Sequence, residues 1–538
     1  MAALASVEKS HQAVITLSSR TATLTEFVDR SQEEEIDVMA QAPGEGVPED
    51  SFEMVMGPDD PDNPKTFSRP YRWLITMTAA ALVMNATFAS SAPSGMITQL
   101  MEHFHLGQEV GTLTIALFVV GYCVGPLLWG PLSEQVGRKP VFVVSFTAYA
   151  LFQVGNALAP NTGALLVFRF LGGTFAAAPL ANSGAVIADI WDAETRGKAM
   201  ATFSLAPLAG PTLGPIVSGF MNVAGVSWQW IFWLQAIFAG TCLVALLVII
   251  PETYAPVLLV KRAQRKRKET GDDRYWAPLE RQQMTLSERL KQVLAKPFVV
   301  LFTEPMLIAM TLYMGFVYGI VYLLFEAYPI VFTEGHHFNS GISGLMFIPY
   351  SLGGVSAVLV YLFYFNPRYA AAVKHYAPHP VPPEVRIEVS VWAAPILVVA
   401  FFWFGWTSYP SISFWAPMMA GLPIGFATIL IFLGIFNYTI DAYLAVAASA
   451  LSSMTVARSF FGAAFPLFAT QMFEVLNPRW ASTLLGFLAI LMAPIPIVLQ
   501  RYGHVIRARS KYAPSRAMPP KAQPVDDEEK DLKGADAV

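Results

Sequence analysis

Long apolar stretches separated by short polar segments run along the chain from about residue 72 to about residue 501. Twelve of them approach the roughly 20 residues that an α-helix needs to cross about 30 Å of hydrocarbon. The apolar runs are continuous and do not alternate with polar residues, so they are not the strands of a membrane barrel. The predicted spans, numbered 1 to 12, are about 72–93, 110–131, 140–159, 164–188, 199–222, 228–250, 302–327, 341–364, 389–407, 412–436, 443–470 and 481–501.

The composition supports a membrane protein. Apolar residues make up 54% of the 538 residues and charged residues only 14%, against about one quarter charged in soluble domains. A soluble chain of this length would divide into several domains, each needing a charged surface. The sequence therefore argues against a soluble enzyme or a nucleic-acid-binding module, and the bilayer is the expected partner of the surplus apolar surface.

Lysine and arginine positions predict the orientation. They cluster in the turns after spans 2, 4 and 8, in the segment 251–300 and at 501–511. The alternate loops have almost none, with Arg479 as the exception. Cytoplasmic loops are enriched in these residues, so both termini are predicted to be cytoplasmic. The net charge of −4 divides into −9 for residues 1–70 and +5 for the remainder.

The segment 251–300 separates two sets of six spans, the pattern of a secondary transporter with pseudo-symmetric bundles. Residues 1–70 are predicted to form a disordered acidic cytoplasmic tail and 71–250 an N-terminal six-helix bundle. Residues 251–300 form a cytoplasmic linker, 301–505 a C-terminal six-helix bundle and 506–538 a second, mostly disordered cytoplasmic tail. The two cysteines, Cys123 and Cys242, lie inside apolar runs, so no disulfide is expected. Neither a metal site nor a cofactor is predicted.

The turn after span 2 contains a spaced set of glycines and charges: Gly130, Glu134, Gly137, Arg138 and Lys139. It resembles the loop signature G-x-L-x-D-R-x-G-R-R/K of the major facilitator superfamily, with Glu in place of Asp and Gln135 in place of a basic residue. Glycines allow a tight turn, and the charges can bond neighbouring helix ends. The resemblance implies a gate whose bonds break when the cavity changes its opening.

Span 5 carries Gly210-Pro211 and Gly214-Pro215, four residues apart. Small residues allow close helix contact, and prolines bend helices. The pattern resembles the antiporter motif of the same superfamily, found in exporters more than in importers. The alternative is ordinary packing of small residues.

Further strings resemble a narrower group, the fungal twelve-span drug:proton antiporters. They include Asp192–Ala199, Pro251–Pro256, Asn437–Tyr443 and Arg458–Phe468, and the resemblance covers about residues 55–515. It implies an all-α membrane protein with twelve transmembrane helices in two pseudo-symmetric six-helix bundles, the major facilitator fold.

Two arginines within spans are functional candidates because a charge at membrane depth is costly. Arg169 in span 4 resembles an arginine that the superfamily uses in proton coupling, although Gly172 replaces the usual Gln; the alternative is an arginine close enough to the interface to reach water. Arg458 lies in the middle of span 11. It is expected to face the cavity or to pair with a carboxylate or carbonyls, with Glu304 and Asp441 as candidate partners, in a gating role or a static pair.

Span 7 presents Tyr318, Tyr322 and Glu326 on one helical face. Aromatic rings can stack on flat or cationic substrates, and Glu326 is a candidate proton or cation site. The alternative is an interfacial aromatic belt with Glu326 in water. Span 1 has no carboxylate, so the proton carrier is expected elsewhere, at Glu326 or Asp441. Further cavity candidates are Asn85, Phe347 and Tyr350.

These features favour a proton-coupled efflux pump that exports hydrophobic or cationic small molecules by alternating access. A polyamine or nutrient carrier on the same fold is the alternative. A membrane enzyme is least favoured because the sequence has no phosphate-binding loop and no hydrolase motif. A nontransporting sensor is equally disfavoured because it would be expected to have a long folded tail, and both tails are predicted to be disordered. The expected partners are a small-molecule substrate, protons and lipid, with no nucleic acid. The expected state is a monomer in the plasma membrane, with the vacuolar membrane as the alternative.

Overall fold

The computed structural model describes residues 52–57, 60–281, 286–377 and 379–513. Side chains at 193, 194, 286–293, 445 and 448 are outside this description. The predicted disorder of the 1–70 tail lies largely outside the described residues, and so does that of the 506–538 tail beyond Ala513.

Helices make up all the regular secondary structure of the described residues apart from one isolated bridge, and eleven of them are long and apolar enough to cross a membrane. Spans 1 to 6 contain the helices Arg69–Ser91, Gln108–Val136, Arg138–Ala157, Thr162–Ile190, Ala206–Val223 and Gln229–Ile249. Spans 7 to 10 contain Pro305–Tyr328, Ile348–Val360, Glu384–Thr407 and Trp415–Ala442. Shorter helices extend span 1 (Ile97–Phe104), precede span 5 (Ala193–Phe203) and flank span 8 (Ser340–Leu345 and Asn366–Tyr376).

The last helical stretch, Ser449–Ala508, contains two spans. Its 60 residues would be about 90 Å long as one straight helix, three times the thickness of the hydrocarbon. Asn477 breaks it with φ 60° and ψ 156°. Gly462 before the break packs against Tyr318 of span 7, whereas Gly486 after it packs against Phe402 of span 9. Helix Ala447–Met492 therefore holds span 11 and the start of span 12, which continues as Pro494–Ala508, and the described chain has twelve spans, as predicted.

Local sequence signals account for several helix ends. The Asn161 side chain accepts a hydrogen bond from Ala164 N (2.9 Å) and caps span 4. Pro305 occupies the first turn of span 7, where a missing N–H costs nothing. Gly137 directly follows span 2, and its φ of 103° disfavours any residue with a side chain.

The segment between spans 6 and 7 is helical over much of its length. It contains Ala255–Thr270, Pro278–Arg281 and Leu286–Thr303. Within it, Trp276 forms an isolated parallel bridge with Glu53 near the start of the described chain. Met54 N donates to Trp276 O at 2.9 Å.

Each set of six spans packs mainly on itself. Span 4 lies against spans 2 and 3, and span 1 against span 5; in the second set, span 7 lies against span 11 and span 10 against spans 8 and 9. The two sets meet where span 2 contacts span 11 and where span 5 contacts the start of span 8. We call the end of the helices at the Gly137 turn the linker face. The opposite end, where spans 1 and 2 and spans 7 and 8 are joined, is the far face.

Candidate functional site

The glycines of span 5 bring this helix into direct contact with span 1. A Cβ atom at Gly210 would overlap Thr87 Oγ1, and one at Gly214 would overlap Ser91 Oγ. Thr87 and Ser91 are buried, and backbone atoms of span 1 lie directly beneath them. The glycine spacing of the sequence motif therefore corresponds to a helix contact that a larger residue would separate.

The other side of span 5 joins the second set of spans at the far face. A Cβ atom at Gly344 of span 8 would lie 2.7 Å from Pro215 O. The Asn222 amide nitrogen donates to Ser340 Oγ at 3.1 Å, and Ser340 Oγ donates to Gly219 O at 3.2 Å. These contacts hold the two sets together at this end.

Other hydrogen bonds between the sets lie at the far face or near the middle of the spans, within the described residues. Gln471 donates to Glu109 at 3.4 Å near the far face. Deeper in the bundle, Ser351 Oγ donates to Thr212 Oγ1 at 2.6 Å. The far face is therefore closed in this conformation.

A charged cluster surrounds the turn at the linker face. The Arg138 guanidinium forms an ion pair with Asp189 of span 4 (3.3 Å) and donates to Ser133 Oγ. The Glu252 carboxylate accepts the backbone N–H of Arg138 at 2.8 Å and lies directly against Gly137. A carboxylate at the N-terminus of span 3 is stabilised by the free N–H groups and the helix dipole. This cluster ties spans 2, 3 and 4 to the segment after span 6.

The remaining motif residues are less engaged. Lys139 donates its backbone N–H to Glu252 (3.3 Å) and its ammonium group to a carbonyl of span 6. Gly130 has open space around it, and Glu134 is exposed. Burial, followed by the charge of Glu134, raises the pKa of Tyr254, whose ring lies 4.7 Å from the Arg138 guanidinium carbon. The sequence did not identify Asp189, although an aspartate at the end of an apolar run was a usable signal.

Arg169 is fully buried inside the protein (0% exposed), which argues against the alternative of an arginine that reaches water. Its Nε donates to Thr114 O of span 2 at 2.6 Å, and its Nη1 donates to Ala89 O of span 1 at 3.0 Å. Its guanidinium carbon lies 4.2 Å from the centre of the Phe118 ring. Arg169 thus connects spans 1, 2 and 4 through carbonyls and an aromatic face, with no ion pair among the described residues.

Arg458 lies among aromatic rings. Its guanidinium carbon is 4.8 Å from the ring centre of Tyr318 and 5.8 Å from that of Phe436. The Phe432 ring packs in turn against the Tyr318 ring. Arg458 Nε is buried and has no hydrogen-bond partner among the described residues. The guanidinium group therefore packs against ring faces, and its Nε–H donor is not used in a hydrogen bond among these residues.

The two carboxylates expected as partners of Arg458 bond elsewhere. Asp441 forms an ion pair with Arg386 at the start of span 9 (3.0 Å). Glu304 accepts hydrogen bonds from Tyr443 OH and from Ser510 Oγ. Those pairing expectations are therefore wrong, because both carboxylates lie near the linker-face ends of the helices and Arg458 lies at mid-span.

The polar face of span 7 extends from Arg458 towards the far face. Tyr318 OH and Tyr322 OH are 3.3 Å apart, and Tyr322 OH is 3.0 Å from Ser90 Oγ of span 1. Ser90 and Tyr322 are both buried. Hydroxyl groups therefore connect the two sets of spans near the middle of the protein.

Glu326 follows on the same face of span 7 and is only 7% exposed. Thr470 Oγ1 of span 11 donates to its carboxyl group at 3.3 Å, and the Thr112 hydroxyl of span 2 also interacts with it. No cation pairs with Glu326 among the described residues. The structure excludes the alternative of an aromatic belt with Glu326 in water, and places this carboxyl group where spans 2, 7 and 11 meet.

Two further cavity candidates, Phe347 and Tyr350, face a narrow crevice between the two sets. It leaves no room for a water molecule in this conformation, and its lining combines both sets: Pro211, Thr212, Val321, Leu324, Phe325, Phe347 and Tyr350. Asn85 is instead packed inside the first set, where it accepts a hydrogen bond from Tyr149 OH at 2.7 Å. Phe347 and Tyr350 therefore lie at the contact between the sets, and Asn85 does not line this crevice.

The chain matches the family model of the Major Facilitator Superfamily over residues 78–466. It is 43% identical to the major facilitator superfamily multidrug transporter mdrA of Aspergillus fumigatus, over 87% of this chain and 77% of that protein. It is 39% identical to the efflux pump FUBT of Fusarium oxysporum, over 88% of this chain and 80% of that protein.

A solved structure supports the fold. The xylose transporter XylE from E. coli superposes with a TM-score of 0.57 at 16% identity, covering 80% of this chain and 99% of that one. The expectation of an all-α transporter fold is confirmed. The family match, the sequence relatives and the twelve spans lead to one conclusion: this chain is a multi-pass membrane protein of the major facilitator superfamily.

Proposed function

We propose that this protein is a proton-coupled exporter of hydrophobic small molecules that works by alternating access. The relatives named as a multidrug transporter and an efflux pump support export of drugs or metabolites. Two sets of six spans that meet around a central polar face support alternating access. The alternative of a nutrient carrier would use the same fold with transport in the opposite direction.

The observation that carries the proposal is the burial of Glu326 between the two sets. Among the described residues, its polar neighbours are hydroxyl groups of spans 2 and 11 and include no cation. When the far face opens, spans 2 and 11 separate and water reaches this carboxyl group. A carboxyl group binds its proton more tightly when it is buried than when it is hydrated. Protonation of Glu326 therefore favours the closed far face, and loss of the proton favours its opening.

This linkage has the direction that an antiporter needs. A proton taken up from outside closes the far face, and its release to the cytoplasm allows the far face to open with substrate bound. Opening must also break the contacts of Asn222 with Ser340 and of Glu109 with Gln471. In this scheme, each cycle exports substrate and imports a proton.

The residues around Arg458 indicate the class of substrate. Tyr318, Phe432 and Phe436 form an aromatic wall, and Arg458 adds a positive charge that has no carboxylate partner among the described residues. A polyamine would be repelled by the Arg458 charge, whereas an anion would be attracted by it. Flat apolar molecules, neutral or anionic, can stack on the aromatic rings. We therefore favour neutral or anionic hydrophobic substrates over the cationic class and over the polyamine alternative.

The charge pattern of the loops supports a cytoplasmic linker face and cytoplasmic termini. The lysines and arginines at 138–139, 261–268 and 507–511 would then lie beside the inner leaflet. We place the protein in the plasma membrane, where export removes substrate from the cell, with the vacuolar membrane as the alternative. A monomer contains the complete proposed pathway.

The direct test is dye transport by purified protein in liposomes under an imposed pH gradient. Neutral Nile red, cationic rhodamine 6G and an anionic fluorescein derivative serve as probes. Glu326→Gln is expected to abolish the acceleration caused by the gradient, because Gln mimics the protonated form. Glu102→Gln changes an exposed carboxylate of the far face and should behave as wild type. Gradient-driven transport by Glu326→Gln at the wild-type rate would refute the proposal.

A further inference from the structure

The buried carboxylate of Glu304 lies at the start of span 7, directly before Pro305, and is 2% exposed. It accepts hydrogen bonds from two hydroxyl groups and two backbone N–H groups. Three of these four donors belong to a short segment after span 12: Ser510 Oγ (2.6 Å), Lys511 N (3.0 Å) and Tyr512 N (3.2 Å). The fourth is Tyr443 OH at 3.3 Å. We call the contact of residues 510–513 with Glu304 the tail latch.

A second buried carboxylate, Glu384, positions the tail latch through Arg507, which lies about one helical turn before Ser510. Arg507, near the end of span 12, makes a bidentate ion pair with Glu384 at the start of span 9: its Nε donates to Oε1 at 3.0 Å and its Nη2 donates to Oε2 at 2.9 Å. Both side chains are buried. Span 12 is therefore fixed to span 9, and the residues that follow are directed onto the start of span 7.

The hydroxyl group of Ser510 is fully used in the tail latch. It donates its proton to Glu304, and it accepts the backbone N–H groups of Tyr512 (3.2 Å) and Ala513 (2.8 Å). Ala513 is buried as a result. Replacing the hydroxyl hydrogen with a phosphoryl group would remove the donor and place a charge of about −1.5 to −2 beside a buried carboxylate.

We propose that Ser510 is a phosphorylation site whose modification releases the tail latch from span 7 and lowers export. Arg509 and Lys511, on either side of the serine, are exposed. They match the preference of serine kinases that read basic residues next to the target through charge complementarity. Ser510 lies on the face that the proposed function assigns to the cytoplasm, where such kinases and ATP are present.

The chemistry is phosphoryl transfer from ATP. The bond between the γ-phosphorus and the bridging oxygen to the β-phosphate breaks, and a bond from Ser510 Oγ to the γ-phosphorus forms. The hydroxyl proton is released and ADP leaves. The kinase acts on the transiently released segment, and the phosphate then prevents its return because Glu304 repels it.

The consequence follows from the position of span 7. Its first turn begins at the tail latch, and Tyr318, Tyr322 and Glu326 follow along the same helix towards the far face. With the tail latch closed, span 7 is held to span 12 and to Tyr443, and these elements move as one unit. After release, the first turn of span 7 loses these bonds, so movement of the second set is no longer transmitted rigidly to Glu326.

The test uses purified full-length protein in which Cys123 and Cys242 are replaced with Ala and Ala513 with Cys. The catalytic subunit of a cAMP-dependent protein kinase and ATP are added, and mass spectrometry locates the phosphate. Phosphate on Ser510, absent in Ser510→Ala, is expected. Phosphorylation confined to other residues would overturn the assignment.

Maleimide labelling of the cysteine at position 513 then reports on the tail latch without depending on transport. Phosphorylated protein and Ser510→Glu should be labelled about tenfold faster than unmodified protein, because bonds to a charged group are lost and repulsion is added. In the double variant Ser510→Glu with Glu304→Gln, the repulsion is absent and labelling should return towards the unmodified rate. Equal labelling of Ser510→Glu and unmodified protein would overturn release.

Dye export by the same variants tests the effect on function. Ser510→Glu should transport severalfold more slowly than wild type, and the double variant should recover most of the rate. A Ser510→Glu protein that is released by the labelling criterion but exports at the wild-type rate would overturn the regulatory role. Glu326 is intact in all these proteins. A failure of the Ser510 proposal can therefore be told apart from a failure of proton coupling, which the Glu326→Gln variant tests.

Discussion

The contact between spans 1 and 5 gives a sharp test of the packing. In Gly214→Ala the new methyl group would overlap Ser91 Oγ and would lie 2.9 Å from Ala92 N and 3.0 Å from the Ser91 carbonyl carbon. Two of these three neighbours are backbone atoms, which cannot rotate aside. The helices must therefore separate, and overpacking of this kind costs about 1–3 kcal/mol.

Gly240→Ala in span 6 is the matched control, because no heavy atom lies within 4 Å of a Cβ atom at Gly240. Both substitutions gain the same helix propensity, about 1 kcal/mol, so their difference isolates the contact. The assay is thermal unfolding in detergent, followed by fluorescence-detected size exclusion. Gly214→Ala should melt at least a few degrees below Gly240→Ala, consistent with a difference of about 1–3 kcal/mol. Equal melting temperatures would show that spans 1 and 5 are not in contact.

Three other substitutions separate functional from structural charges. Arg458→Ala should abolish dye export in liposomes and change the melting temperature little, because Arg458 Nε has no hydrogen-bond partner to lose within the described part of the chain. Arg169→Lys should lower the melting temperature and yield, because a single ammonium group cannot reach the carbonyls of spans 1 and 2 together, and a buried unsatisfied group costs about 1–3 kcal/mol. Glu384→Ala should destabilise the protein by about 3–5 kcal/mol by leaving Arg507 buried and unpaired, whereas Glu388→Ala, at a more exposed ion pair, should cost less than about 1 kcal/mol.

For each of these three tests, one result would contradict the physical reason given for it. Export by Arg458→Ala at the wild-type rate would return Arg458 to a packing role. A stable Arg169→Lys protein would mean that the carbonyls of Thr114 and Ala89 find other donors. Equal stability of Glu384→Ala and Glu388→Ala would contradict the burial of the Arg507 pair.

Hydrophobic patterning predicts the fold well because a membrane span is a local property. Every predicted span overlaps an observed helix, although the structure begins span 1 at Arg69 and ends span 2 at Val136. Arg169, Glu326 and Arg458 were identifiable as charges inside apolar runs, since their cost in lipid does not depend on their partners. The family resemblance and the all-α fold are confirmed.

Partners were not predictable in the same way. Glu304 and Asp441 were reasonable candidates for Arg458 by sequence position, but helix tilt and register place them near the linker face. The pairs of Arg138 with Asp189 and of Arg507 with Glu384 join helices that are far apart in sequence. Such contacts are set by packing between helices, which a hydrophobic pattern does not specify. The functional roles of the site residues stay predictions.

The central claim is that substrate export is coupled to protons through Glu326. The most direct measurement loads wild-type liposomes with a pH-sensitive dye and adds a substrate gradient without any imposed pH gradient. Substrate movement in one direction should drive protons in the other direction in wild type and in Glu102→Gln. It should drive none in Glu326→Gln. Substrate-driven proton movement of wild-type size in Glu326→Gln would contradict the account.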